Sequence, residues 1–339
     1  MKWLLCLVMA ASPAFCAVTG QVINRSTGKP QAGATVGLNR LGQGGIELID
    51  QAKSGPDGRF TINQDTAGQI PHLLRTAFDG VTYNHMLPPG SPTSNITVDV
   101  YNSSAQQPAE AKVTKHMILF QPGGDKLTIN ETYLFQNSGK TAWNDPDHGT
   151  LRFFVPASAE GKAQVNATAP GGMPIPAAVT KTGKPDVLAV DFPVKPGETR
   201  FDLNYTASYS AGEAYKGRVI TKDENTYLIA PNGVTMAGAN LNDLGQEPRT
   251  QAHIFGLRGQ SYEIKLSGAV AAAASASGAG DSADQPQEQQ EGSPPVEAIL
   301  PRVNGQTIPI LAIAMGILAL GFALLYRASP KESNERGRG

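Results

Sequence analysis

Short runs in which apolar and polar residues alternate, each closed by Gly, Pro, Asn or Asp, recur along the chain and constrain it more than any other feature. Alternation with a period of two puts one face of a strand in a core and the other in water. No long stretch carries apolar residues at i, i+3, i+4 and i+7, so amphipathic helices are not expected. In the first part of the chain the runs are 18–24, 34–41, 46–54, 59–63, 72–78, 81–86 and 96–101. Seven short strands with turn signals between them predict a small sandwich over residues 18–105. Gly55-Pro56-Asp57-Gly58 reads as a hairpin connection, because Asp-Gly takes the positive φ that such turns require. Ser26-Thr27-Gly28-Lys29-Pro30 reads as a second turn.

Residues 106–267 continue the pattern as a second β-rich module. Leu127, Ile129, Tyr133 and Phe135 alternate on one strand, where Glu131 interrupts the apolar face. Phe201, Leu203 and Tyr205 alternate on another, and Tyr262, Ile264 and Leu266 on the last; 150–155 and 251–257 read as further strands. The pattern leaves open one large sandwich or two small ones.

The two ends read differently. Met1-Lys2-Trp3, the apolar run 4–11 and the small-residue region ending at Ala17 have the form of a secretory leader (1–17), of bacterial type. Near the other end an apolar run begins at Ile308 and closes at Tyr326, within a stretch (303–326) without a charged side chain. As a helix, 308–326 would rise about 28 Å, close to the hydrocarbon thickness of a bilayer. Arg327, Lys331, Arg336 and Arg338 exceed Glu332 and Glu335 in the tail 327–339. An excess of Lys and Arg marks the cytoplasmic side, so the expected protein is single-pass in the cell membrane, with its N-terminus outside and its C-terminus inside. Between module and span, residues 268–302 are mostly Ala, Ser, Gly, Pro and Gln with Asp281, Asp284, Glu288, Glu291 and Glu297, and they read as a disordered acidic tether.

Cys6 and Cys16 are the only cysteines, and both fall in the leader. The expected ectodomain therefore has no disulfide and relies on core burial. Lys and Arg number 28 against 29 Asp and Glu, without a basic run, which excludes nucleic acid as an expected partner.

Four blocks in the first module carry a family likeness: Val18-Thr19-Gly20-Gln21-Val22, the 26–30 turn, Ala32-Gly33-Ala34-Thr35-Val36, and Asp57-Gly58-Arg59-Phe60-Thr61-Ile62. In this order they resemble the carboxypeptidase regulatory-like domain. That likeness implies a transthyretin-like sandwich, classed with carbohydrate-binding-like folds, and an accessory role without catalytic residues. Tyr133-Leu134-Phe135-Gln136-Asn137-Ser138-Gly139 in the second module resembles a strand-to-turn segment of bacterial immunoglobulin-like domains.

Catalytic signatures are missing. No His is followed three residues later by Glu, as a zinc carboxypeptidase site requires, and Gly139-Lys140-Thr141 lacks the upstream glycine of a phosphate loop. Ser26-x-x-Lys29 and Lys181-Thr182-Gly183 echo fragments of the penicillin-binding signature without its middle element. No cofactor is implied. In the polar loop 144–149, Asp145 and Asp147 have the oxygens that calcium takes, and His148 the nitrogen of a transition-metal ligand; the same composition is that of a solvated turn. Trp143 beside it has a ring for stacking on a sugar, or for packing against its own sandwich. The expected function is that of a non-catalytic, membrane-anchored binding or scaffold protein whose partner is another extracytoplasmic or membrane protein. The alternatives are an accessory subunit of a membrane assembly, a carbohydrate-binding surface protein, and an enzyme with its site in the second module.

Overall fold

The computed structural model describes residues 17–42, 45–64, 66, 70–210, 212–221 and 225–270. The expected leader up to residue 16, the tether beyond residue 270, the span and the tail lie outside these residues. Within them the protein is mainly β, and the one helical element is a 3-10 turn at Ala157–Ala159.

The first part forms β1 (Val18–Asn24), β2 (Lys29–Pro30), β3 (Thr35–Gly42), β4 (Gly45–Lys53), β5 (Arg59–Ile62), β6 (His72–Phe78), β7 (Val81–Leu87) and β8 (Ile96–Val100). β1 lies between antiparallel β5 and parallel β8, and β2 pairs with β1 at Ile23 and Asn24, past the end of β5. The second sheet has the order β4-β3-β6-β7. Val18, Val22, Phe60, Ile62 and Val98 of the first sheet share one buried cluster with Val36, Leu38, Leu74 and Val81 of the second. Two sheets closed over one core make this part a sandwich.

One expectation is corrected here. Gly55–Gly58 does turn, with Gly58 N–H donating to Gly55 O at 2.8 Å, but it is not a hairpin. The strands on either side belong to different sheets, β4 pairing with β3 and β5 with β1. Turn chemistry is local and is the same whether the chain folds back on its neighbour or crosses the sandwich.

The rest of the chain forms β9 (Ser103–Ser104), β10 (Ala111–Gly123), β11 (Lys126–Asn137), β12 (Ala142–Trp143), β13 (Leu151–Phe154), β14 (Gln164–Thr168), β15 (Ile175–Pro176) and β16 (Ala178–Lys181). It continues with β17 (Val187–Asp191), β18 (Gly197–Ser208), β19 (Ala214–Arg218), β20 (Thr226–Ala230), β21 (Val234–Ala237), β22 (Leu241–Gln246), β23 (His253–Leu257) and β24 (Ser261–Gly268). An eight-stranded sheet, β15-β14-β18-β11-β10-β20-β23-β22, dominates, and two three-stranded sheets, β13-β17-β16 and β19-β24-β21, accompany it. All three contribute to one apolar cluster that includes Phe120, Phe135, Phe153, Val190, Phe201 and Ile264. Each such side chain stabilises the fold by roughly 1.5–3 kcal/mol on burial, which is what a chain without disulfides requires.

The two clusters meet. β9 pairs in parallel with β12, and Trp143 bridges to Val194. Ala142 packs into the first cluster, Asn144 Nδ2 donates to Gly80 O at 3.3 Å, and Ser26 Oγ donates to Lys140 O. Lys195 reaches from the second part to donate to Thr82 O, and its ammonium lies 5.1 Å from the centroid of the Tyr83 ring.

Candidate functional site: a buried carboxylate in the eight-stranded sheet

On β11, Leu127, Ile129, Glu131, Tyr133 and Phe135 all face the core, so Glu131 places a carboxylate where the period calls for an apolar residue. It is 4 % exposed. A buried carboxylate needs partners to offset its lost hydration, and three are present. Tyr205 Oη on β18 donates to Oε1 at 2.6 Å, while Tyr133 Oη donates to Oε2 at 3.0 Å. His116 Nε2 on β10 lies 3.0 Å from Oε2. The His116 ring stacks on Tyr133 with centroids 3.8 Å apart, and its Nδ1 lies 3.4 Å from Thr226 Oγ1 on β20. Four adjacent central strands are thus linked through one acid.

His116 faces inward because of a bulge. β10 pairs with β11 through Val113↔Phe135 and then Lys115↔Leu134, so Thr114 is an extra residue. The insertion reverses the parity of every residue after it. Val113 and His116 are both buried as a result, whereas Lys115 is exposed.

Further phenols surround the acid. Burial, then the Glu131 charge, raises the Tyr205 pKa well above its ordinary value. Burial also raises Tyr262 and Tyr215, and the charge of Glu131 adds to both. Tyr215 Oη faces Tyr205 without the geometry of a hydrogen bond. At neutral pH these phenols therefore keep their protons. Gly217 on β19 lets Tyr262 in, since a Cβ there would lie 2.3 Å from the tyrosine ring. His116 is 1 % exposed and Tyr133 1 %, so no solvent-borne substrate touches the acid–imidazole pair unless the strands part. The chemistry available is mutual positioning of strands by a network of hydrogen bonds.

The residues singled out from the sequence lie elsewhere. Asp145 Oδ1 accepts the His148 N–H at 3.1 Å, and the same carboxylate lies 3.1 and 3.2 Å from His148 Nδ1. Asp145 and His148 thus satisfy each other within a turn, and Asp147 is exposed beside them. Among the described residues no three His, Cys, Asp or Glu side chains gather as metal ligands would. Of the two readings of Trp143, a ring for a sugar or one packed against its own sandwich, the geometry is that of the second: it is 8 % exposed, packs 6.1 Å from Phe135, and donates through Nε1 to Ala105 O at 3.2 Å. Its faces are covered by the core. The polar interruption of β11 at Glu131 was the one signal in the sequence that pointed to the cluster.

No protein-family model and no curated protein matches the chain. Among solved structures, it is similar to a two-domain M1 zinc metallopeptidase mutant bound to L-tryptophan, with 11% identity over 47% of this chain and 43% of that one, at a TM-score of 0.27. An M1 zinc metallopeptidase mutant from Deinococcus radiodurans gives 11% identity over 47% and 42%, at 0.26. The unmutated M1 enzyme from that organism gives 10% over 46% and 42%, at 0.25. The chain spans less than half the length of each, and likenesses this distant carry no argument about activity.

Proposed function

We propose that this chain is a non-catalytic binding or scaffold protein, anchored in the cell membrane by 308–326, with its β-modules outside and a partner that is another extracytoplasmic or membrane protein. The observation that carries the reading is the burial of its densest acid–base constellation. Glu131, His116, Tyr133 and Tyr205 are spent on one another inside the sheet, where they hold strands rather than meet a substrate. The contacts at β9, β12 and Lys195 support presentation of both modules as a single platform.

The first module is read as a carboxypeptidase regulatory-like, transthyretin-like sandwich. In support, blocks one and four of that likeness lie side by side, Gly20 opposite Phe60. Gly20 is also required there, because a Cβ would lie 2.2 Å from Ile96 O and 2.7 Å from the Phe60 ring. The second module is read as an immunoglobulin-like relative.

Protease added outside intact cells, or spheroplasts where an outer membrane is present, tests the topology. The expected result is loss of the β-modules and survival of a fragment of a few kilodaltons containing 308–339. Protection of the whole chain overturns the anchoring.

A further inference from the structure

β14 is too short for its neighbour. It pairs with β18 from Arg200 to Asn204 and stops, while β18 runs on to Ser208 along β11. Tyr209 N–H bonds to Asp125 O at 3.0 Å, on the β11 side, and Ala177 N–H bonds to Val165 O on the far side of β14. In an antiparallel ladder successive residues direct their main-chain groups to opposite sides. Odd-numbered residues of β18 therefore address β11, and even-numbered ones address the line of β14. Past Asn204 that leaves Thr206 and Ser208 with N–H and C=O directed away from β11, to a side where no strand pairs with them and the 3-10 turn Ala157–Ala159 lies alongside β18.

On that side lies a groove of about 810 Å³. Val179, Thr180 and Lys181, three consecutive residues of β16, line its other wall. Leu188 of β17, the partner of Lys181, lines the same wall. β16 is the outer strand of its sheet. The outer strand of that sheet and the end of β18 that β14 leaves unpaired thus line one cavity. Lys126, Lys162 and Lys181 surround it, and Glu160 is the single acid in the lining, already paired with Lys162 at 2.5 Å. Lys126 and Lys181 have no counter-charge in the lining.

We propose that this groove receives an extended, acidic segment of a partner protein, which adds to β18 at Thr206 and Ser208 as a strand in the line that β14 vacates. This deepens the binding reading above by naming the partner's chemistry. Main-chain groups at strand spacing match another peptide, and strand addition to an open edge is a general mode of peptide capture. A glycan fits less well, because the Tyr205 ring, the one aromatic in the lining, is turned into the core at 2 % exposure and gives no face to a pyranose. Acidic side chains on the added strand meet Lys126 and Lys181.

The test is fluorescence anisotropy with the full-length protein and labelled, capped hexapeptides. The probes are alternating Glu and Val, the same with Gln for Glu, and the Glu/Val peptide N-methylated at alternate residues; polygalacturonate serves as competitor. The expected result is saturable binding of the Glu/Val peptide alone. K126S/K181S or high salt should weaken it about tenfold, since exposed charge pairs are individually small and screened. T206P should abolish it with an unchanged circular dichroism spectrum, because that N–H faces the groove and not β11. If T206P does not fold, the N-methylated peptide asks the same question of the wild type. Equal binding of the N-methylated or the Gln/Val peptide, no saturation with any peptide, or displacement by polygalacturonate at lower concentration overturns the proposal. Protease shaving on cells is unaffected by any of these outcomes, so the anchoring reading stands or falls separately.

Discussion

Truncating Glu131 to alanine should be among the most damaging single changes in the second module. The substitution removes the acceptor of three hydrogen bonds, from Tyr205 at 2.6 Å, Tyr133 at 3.0 Å and His116 at 3.0 Å, in a site 4 % exposed. Breaking a buried charged network by deleting one member costs about 3–5 kcal/mol, and the volume left empty adds to that. A domain of ordinary stability has only about 5–15 kcal/mol in total. Glu131→Gln keeps the shape and one acceptor oxygen, which Tyr205 can still use, but turns an amide N–H₂ toward a donor; about 2 kcal/mol is expected. Urea unfolding followed by Trp143 fluorescence measures both. With a slope of about 2–3 kcal/mol/M for a module of this size, the alanine midpoint should fall by about 1.5 M and the glutamine midpoint by about half as much. An alanine midpoint within about 0.3 M of wild type, or glutamine proving worse than alanine, would refute the view that the acid holds the sheet.

Three other outcomes are expected. Burial, then the charge of Arg75, lowers the Lys195 pKa to about 8, against about 10.4 unfolded. The folded state favours the neutral amine, so this contribution is full above the unfolded pKa and is lost as pH falls through about 8. Relative to Lys195→Met, which also cancels the opposing tyrosine ionisation, wild-type stability should climb by about 2 kcal/mol between pH 7 and 9.5; parallel curves would contradict the burial of Lys195. Gly217→Ala should cost about 1–3 kcal/mol, because its Cβ would lie 2.3 Å from the buried Tyr262 ring; an unchanged melting temperature speaks against that packing. Asp145→Ala should cost about 1 kcal/mol by loss of the bond to the His148 N–H, equally with calcium, zinc or chelator present. A cost that appears only with added metal would restore the loop as a cation site.

Most of the strands were legible in the sequence because alternation is a local property. The seven runs read in the first module match β1 and β3 to β8 within one or two residues at their ends, and Leu127 to Phe135, Phe201 to Tyr205 and Tyr262 to Leu266 all fall on β11, β18 and β24 with the expected face buried. Mainly β architecture and reliance on apolar burial follow from that pattern alone, since a period of two admits no other way to hide one face. Which strands pair does not follow. Gly55–Gly58 looks the same to its own residues whether β4 and β5 pair or part, and only packing sent them to different sheets.

The buried site shows the division most sharply. Glu131 was visible as a polar residue on an apolar face, but its partners stand 15 residues away at His116 and 74 away at Tyr205. No local rule brings those together. His116 turns inward only because pairing with β11 leaves Thr114 out of register, so its burial is a property of two strands and not of one. The open edge at Thr206 and Ser208 is likewise a difference in length between β14 and β18, which exists only once they are side by side. The sequence determined which segments become strands and which face each one buries, because those depend on neighbours along the chain; the tertiary structure decided what each strand meets, because that depends on neighbours across the sheet.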